Sequence, residues 1–219
     1  KIGVLSSGIG ADNVEIVMNE LDALVNIDFQ TRLEKSEKRS LQLIRIGTSG
    51  SIQAHIPVDS ILISTAAIGF DNLAQFYGFD SVMSIAEAVL AAWTKAIVYP
   101  LPLYAAKASA SLCAQFAPLN AYNGVTLTAP GFYAPQGRTI RMHSMRPDFL
   151  EKVAAAKLGD EEITNIEMET AAYYAFSGAM GHEMISLNAI LANRITNEFS
   201  KDPEGQIRSL IKKAIALIA

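Results

Sequence analysis

Short apolar runs closed by Gly, Ser, Asn or a charged residue alternate along this chain with longer stretches of helical apolar spacing. Lys1 to Ser7, Leu41 to Gly47, Ser60 to Ala66, Ala121 to Ala129, a run ending at Ile166 to Met168, and Glu183 to Leu191 predict strands. Ala11 to Val25, Thr170 to Ala179 and the stretch from Pro203 onward predict helices. Ser81 to Val98 and Leu103 to Phe116 add helical material interrupted by Pro100 and Pro102. Asn26 to Ser40 carries Arg32, Glu34, Lys35, Glu37, Lys38 and Arg39 close together and predicts a solvated loop. Ile68 to Asp80 is a connection rich in aromatics, suited to closing over a ligand or to forming a satellite core.

Composition narrows the function classes. With 219 residues, 50% hydrophobic content and 18% charged residues, the chain can bury a sizeable core as one domain. A net charge of -4 gives no electrostatic footprint for nucleic acid or an anionic membrane, so a small molecule is the expected partner. No apolar run approaches the length of a membrane span. The single cysteine, Cys113, excludes an internal disulfide, suits a reducing cytoplasm and reads as a core filler. His55, His143 and His182 share no metal-ligand spacing, and neither a metal nor an organic cofactor is expected.

The candidate chemistry lies where predicted strands end. In Asn165 to Phe176, NIEMETAAYYAF, Glu167 and Glu169 fall between a strand and an apolar helix. A carboxylate there is costly to bury unless hydrogen-bonded, and the carboxyl ends of strands in open α/β sheets are where ligands collect. Helix capping would also explain either acid. Arg45 precedes Gly47-Thr48-Ser49-Gly50-Ser51, a predicted turn whose amides and hydroxyls, with the guanidinium fork, are the parts of an oxyanion site. It lacks the lysine of a nucleotide P-loop, so inorganic phosphate or a carboxylate fits better than a triphosphate. The Gly8-Ile9-Gly10 turn, with Asp12 or Asn13 as helix cap, could also present amides to an anion.

Gln136 and Arg138 would project to one side of an extended segment. A primary amide complements the N3–H and a carbonyl of uracil, the guanidinium a remaining carbonyl, and Phe132 can cover the ring. Arg194 stands at another strand end.

RIGTSGSIQ (Arg45 to Gln53), FYAPQGR (Phe132 to Arg138), NIEMET (Asn165 to Thr170) and ANRITNE (Ala192 to Glu198) resemble, in order, motifs of the uridine phosphorylases, a family within the nucleoside phosphorylase superfamily. The resemblance runs from SSGIG to the last helix. It implies a three-layer α/β/α subunit around a mixed, partly barrel-like sheet, assembled as a homodimer or hexamer with shared active sites. It implies phosphorolysis of uridine with inorganic phosphate as co-substrate. Arg45, Gly47 and Thr48 would hold phosphate; Thr48, Met168 and Glu169 the ribose; and Phe132, Gln136, Arg138 and Arg194 the base, with Arg45, Glu169 and Arg138 catalytic. The family pattern continues upstream with a glycine-rich turn and an arginine, so residues 1–219 are expected to be one domain lacking its N-terminal segment. Purine-specific members carry an aspartate where this chain has Asn193 and Arg194; purine phosphorolysis or a nucleosidase of the same superfamily, and, from the missing upstream arginine, a non-catalytic nucleoside binder are the alternatives.

Overall fold

A computed structural model of the chain describes residues 2–79, 103–158 and 161–218. The helix expected over Ser81 to Val98 lies outside them. The strands are β1 (Ile27–Asp28), β2 (Leu33–Glu34), β3 (Gln42–Ser51), β4 (Ile61–Gly69), β5 (Tyr104–Lys107), β6 (Tyr122–Thr128), β7 (Lys157–Leu158), β8 (Glu161–Glu167), β9 (Glu183–Asn193) and β10 (Glu198–Phe199). The described helices are α1 (Ala11–Asn26), α2 (Ala110–Phe116), α3 (Phe149–Ala155), α4 (Thr170–Met180) and α5 (Pro203–Ala216).

The main sheet runs β10-β9-β3-β8-β6-β4-β5, and β9 also pairs with β4. That extra pairing, Ile61 to Ser64 against Ala189 to Ser186, closes β9, β3, β8, β6 and β4 into a barrel. The ladder is mixed: β3 lies parallel to β9 and antiparallel to β8, while β6 runs parallel to both β4 and β8. The expected α/β architecture around a mixed, partly barrel-like sheet is therefore present. Helices cover the barrel in groups, α1 and α4 over Met18, Tyr104 and Phe176, α2 and α5 over Ile63, Leu187 and Leu210, and α3 over Ile68, Leu127 and Ile163.

Four expectations need correction. Residues 2–7 form no strand, and Ile2, Val4 and Leu5 are exposed. An apolar run becomes a strand only where another backbone offers a ladder, and among the described residues none does. Leu103 to Phe116 is helical only from Ala110; before it, β5 pairs antiparallel with β4. Packing overrides propensity here, because the Tyr104 ring lies against Gly69, where a side chain would collide with it, and its hydroxyl donates to Asp71 at 2.7 Å. The GTSGS stretch is not a turn. β9 offers a parallel ladder up to Asn193, so β3 continues through Ser51 with a bulge between Ser49 and Gly50. Gln136 and Arg138 are not on an extended segment, since Ala134–Gln136 is a 3-10 turn and Gly137 takes a left-handed φ of 71°. In the 70–79 connection, Phe70 and Phe79 are core, the half-buried Tyr77 packs with Phe79 on Phe176, and Phe76 is exposed.

The inside of the barrel is polar. On β9 the residues Ile185, Leu187 and Ala189 face the α2 and α5 layer, so the alternating Ser186 and Asn188 face inward. Asn188 Nδ2 donates to Ser64 Oγ at 2.9 Å, Ser64 Oγ meets Thr126 Oγ1 at 2.5 Å, Thr126 donates to Asn165 Oδ1 at 2.8 Å, and Asn165 Nδ2 to Ser49 Oγ at 2.9 Å. Each barrel strand thus contributes one side chain to a hydrogen-bonded belt. Buried polar groups so satisfied fix one strand register, because a slip by one residue would turn them to the apolar face.

Tyr174 fastens α4 to this barrel. Its hydroxyl donates to Ser64 O at 2.5 Å and accepts from Ser186 N at 2.9 Å, and burial holds its ionisation far above the ordinary phenol range. Tyr174→Phe leaves a buried carbonyl and a buried amide without partners, so unfolding stability should fall by about 2 kcal/mol or more. Urea denaturation followed by circular dichroism checks this; an unchanged midpoint would show that neither bond contributes.

Candidate functional site

Glu167 closes β8, and almost everything around it donates to it. Thr128 Oγ1 reaches its Oε1 at 2.6 Å, the amides of Glu169 and Thr170 reach Oε2 at 3.0 and 2.9 Å, and Thr170 Oγ1 reaches the same oxygen at 2.9 Å. It therefore satisfies the first amides of α4, the capping role weighed for both acids. Burial raises its carboxyl above the ordinary glutamate range, Arg45 pulls the other way and the Glu169 charge adds to the rise. The converging donors favour its charged form against that rise.

Glu169 occupies the N-cap position of α4 but makes no side-chain cap bond. Instead Oε1 accepts the amide of Gly10 at 2.8 Å and Oε2 accepts Arg45 Nη2 at 2.7 Å. The GIG turn does present an amide to an anion, and that anion is this carboxylate. Neither Asp12 nor Asn13 caps α1, whose N-cap is Gly10 with a φ of 96°.

Arg45 lies on β3 with its guanidinium folded over Gly47, where any side chain would overlap it. Nη1 donates to Ser186 Oγ at 3.1 Å and Asn188 Oδ1 at 3.0 Å, while Nη2 sits 2.7 Å from Glu169 and 3.0 Å from Glu167. Burial works against its charge, but the two carboxylates outweigh burial and hold its ionisation above the ordinary arginine value. Gly47 is thus required for Arg45 to reach the acids. Met168 is half-buried between the two acids, and Thr48 is exposed and by strand alternation faces away from Arg45. The expected phosphate set is therefore split: Arg45 and Gly47 are together, Thr48 is on the other face.

The residues expected to meet the base form a second cluster. Arg138 Nη1 donates to Gln136 Oε1 at 2.6 Å and to Phe132 O at 2.5 Å, and its Cζ lies 3.9 Å from the Phe132 ring centroid. Phe132 itself is exposed and Gln136 is buried. The turn, rather than strand alternation, brings the amide and guanidinium together. Arg194 joins them: its Nη2 donates to Gln136 O at 3.2 Å, its stem lies over Gly50, and its buried Nη1 has no partner. Burial and the neighbouring Arg194 push Arg138 down to about 10. Two guanidiniums held this close favour a partially negative ligand atom. Thr48, Ser49 and Gly50 of β3 separate this cluster from Gly47, a rise of about 10 Å.

A groove of about 530 Å³ lies beside Gly137, between Ile52 to Ala54, Leu150 and Glu151 of α3, and Ile195. It contains neither Arg45 nor Glu169, and its walls are mostly apolar. The residues with charge complementarity lie along β3 instead. Ser186 and Asn188, which hold Arg45, were not singled out from sequence; the signal was two polar residues at period two in an otherwise apolar strand. Among the described residues no group of His, Cys, Asp or Glu is arranged to hold a metal, and no helix is long and apolar enough to cross a membrane.

The chain as a whole is similar to known proteins. The uridine phosphorylase of Thermococcus kodakarensis is 27% identical over 218 residues, covering 100% of this chain and 67% of its own length. That of Haemophilus influenzae is 26% identical over 219 residues, covering 99% of this chain and 73% of its own. The nucleoside phosphorylase of Trypanosoma brucei, whose crystal structure is described as showing uridine phosphorylase activity, superposes with a TM-score of 0.82 at 25% identity, over 97% of this chain and 77% of that one. A family model described as the phosphorylase superfamily matches residues 1–219, and the chain belongs to that superfamily.

Proposed function

We propose that this protein phosphorolyses uridine to uracil and ribose 1-phosphate in nucleoside salvage, as a cytoplasmic homo-oligomer with shared active sites and no cofactor beyond inorganic phosphate as co-substrate. The observation that carries the reading is Glu169. It stands at a strand-to-helix junction, is not used as a cap, and is held by Arg45 and Gly10. The names of the relatives, and the activity ascribed to the Trypanosoma brucei enzyme, support the substrate.

Phosphorolysis of an N-glycosidic bond places positive charge on the sugar and negative charge on the departing uracil. Arg45, folded over Gly47, binds phosphate against the sugar, where the anion stabilises the cation and then attacks it. No protein nucleophile is needed. Met168 and Glu169 hold the ribose, the carboxylate accepting its hydroxyls. Gln136 reads the uracil edge, Phe132 covers the ring, and Arg138 and Arg194 receive the charge on its carbonyl oxygens.

Uridine should be cleaved at least about a hundredfold better than inosine, because buried polar groups left unpaired penalise the wrong base. Phosphate-dependent change in absorbance for the two nucleosides measures this, and comparable rates would reject the pyrimidine assignment. Arg138→Ala should lower kcat/KM for uridine by roughly a hundredfold, the usual loss for one donor to a developing anion.

Glu169→Gln keeps the side chain's shape and, since the carboxylate caps nothing, leaves the helix end intact. Turnover should fall at least about tenfold while Tm moves little. Unchanged turnover would make Glu169 structural.

A further inference from the structure

Both terminal nitrogens of Arg45 are already committed. Nη1 serves Ser186 and Asn188, and Nη2 faces Glu169 and Glu167, so the fork that would clasp an anion is closed by four protein oxygens. We propose, resting on the nucleoside and phosphate reading above, that Glu169 and the incoming phosphate compete for the Nη2 edge of Arg45. Anion binding displaces the Glu169 carboxylate from that edge and turns it to the ribose hydroxyls. The two substrates then bind with positive coupling.

Glu169 is the partner that gives way because it is the least anchored. Glu167 is held by Thr128, by Thr170 and by the first amides of α4, and moving it would strip that helix end of acceptors. Ser186 and Asn188 are fixed on β9, Asn188 inside the polar belt through Ser64. Apart from Arg45, Glu169 keeps only the Gly10 amide, at its other oxygen. Its neighbour Met168 is half-buried, and it stands where β8 has ended and α4 has begun. A dianion brought to Arg45 also repels the two carboxylates there, and the one free to swing relieves that repulsion. Swinging leaves a desolvated carboxylate short of one donor, which a ribose hydroxyl replaces. Free energy lost by Glu169 on anion binding is returned when the nucleoside binds, and by linkage each ligand raises the other's affinity equally.

The test uses sulfate as an unreactive dianion and calorimetric titration of uridine and of uracil. With saturating sulfate, uridine should bind the wild-type protein about tenfold more tightly than without it. Uracil, which has no ribose hydroxyls, should show no such gain. In Glu169→Gln the sulfate effect on uridine should disappear, and sulfate alone should bind more tightly than to wild type, its competitor having lost its charge. The wild-type comparison stands even if the variant folds poorly. Equal uridine affinity with and without sulfate, or an equal gain for uracil, overturns the exchange and leaves the substrate reading intact. Failure of uridine to bind under either condition overturns the substrate reading, and the exchange with it.

Discussion

The buried Arg45 is the point through which the site and the scaffold are tied together. A guanidinium removed from water is tolerable only with good partners, and here two carboxylates and two β9 side chains surround it. Those partners come from β8, the start of α4 and β9, three consecutive elements that lie more than a hundred residues along the chain from Arg45. Taking Arg45 away would leave Glu167 and Glu169 as neighbouring buried anions, which is why the arginine constrains the fold as much as the chemistry. Gly47 is part of the same constraint, because only a residue without a side chain leaves room for the guanidinium to lie back over β3.

Around this point the barrel separates two kinds of packing. Apolar side chains point outward to the helices, and an inward belt of Asn188, Ser64, Thr126, Asn165 and Ser49 joins one residue from each barrel strand. An all-apolar interior would stabilise a closed barrel too, yet it would not distinguish one register from another. Register matters here since Arg45 hangs from Asn188, and a slip of one residue would carry its guanidinium away from the acids.

Much of this was legible in the sequence, and what was not has physical causes. The strands from Leu41, Ser60, Ala121 and Glu183 and the helices from Ala11, Thr170 and Pro203 follow from periodicity, since each buries a face that local pattern records. The division of labour between the acids was not readable: Glu167 and Glu169 are two apart in one segment, and only the donors brought by Thr128, Gly10 and Arg45 tell capping from an available carboxylate. GTSGS has the composition of a turn, and it became a strand because β9 supplies a ladder that no local signal encodes. Leu103 to Phe116 was misread for the same reason, its first residues being drawn into the sheet by β4. Gln136 and Arg138 were paired correctly by an incorrect geometry, as the 3-10 turn and Gly137 do what strand alternation was expected to do.

The distribution of charge along β3 then connects the scaffold to the proposed reaction. At one end Glu167 and Glu169 share a single arginine, whose Nη2 stands 3.0 and 2.7 Å from them. At the other, Arg138 and Arg194 lie together, and burial, with the Arg194 charge adding to it, pushes Arg138 down to about 10. Glycosidic cleavage moves electrons from the sugar to the base, so the sugar becomes positive beside the acids and the base negative beside the guanidiniums. In the proposed reaction each cluster faces the charge that develops as the bond breaks. Interactions that strengthen only as charge develops lower the barrier rather than merely tightening substrate binding. β3, which carries Arg45 at one end and lies under the Arg194 stem at Gly50 at the other, therefore sets the spacing of the two clusters in the proposed reaction.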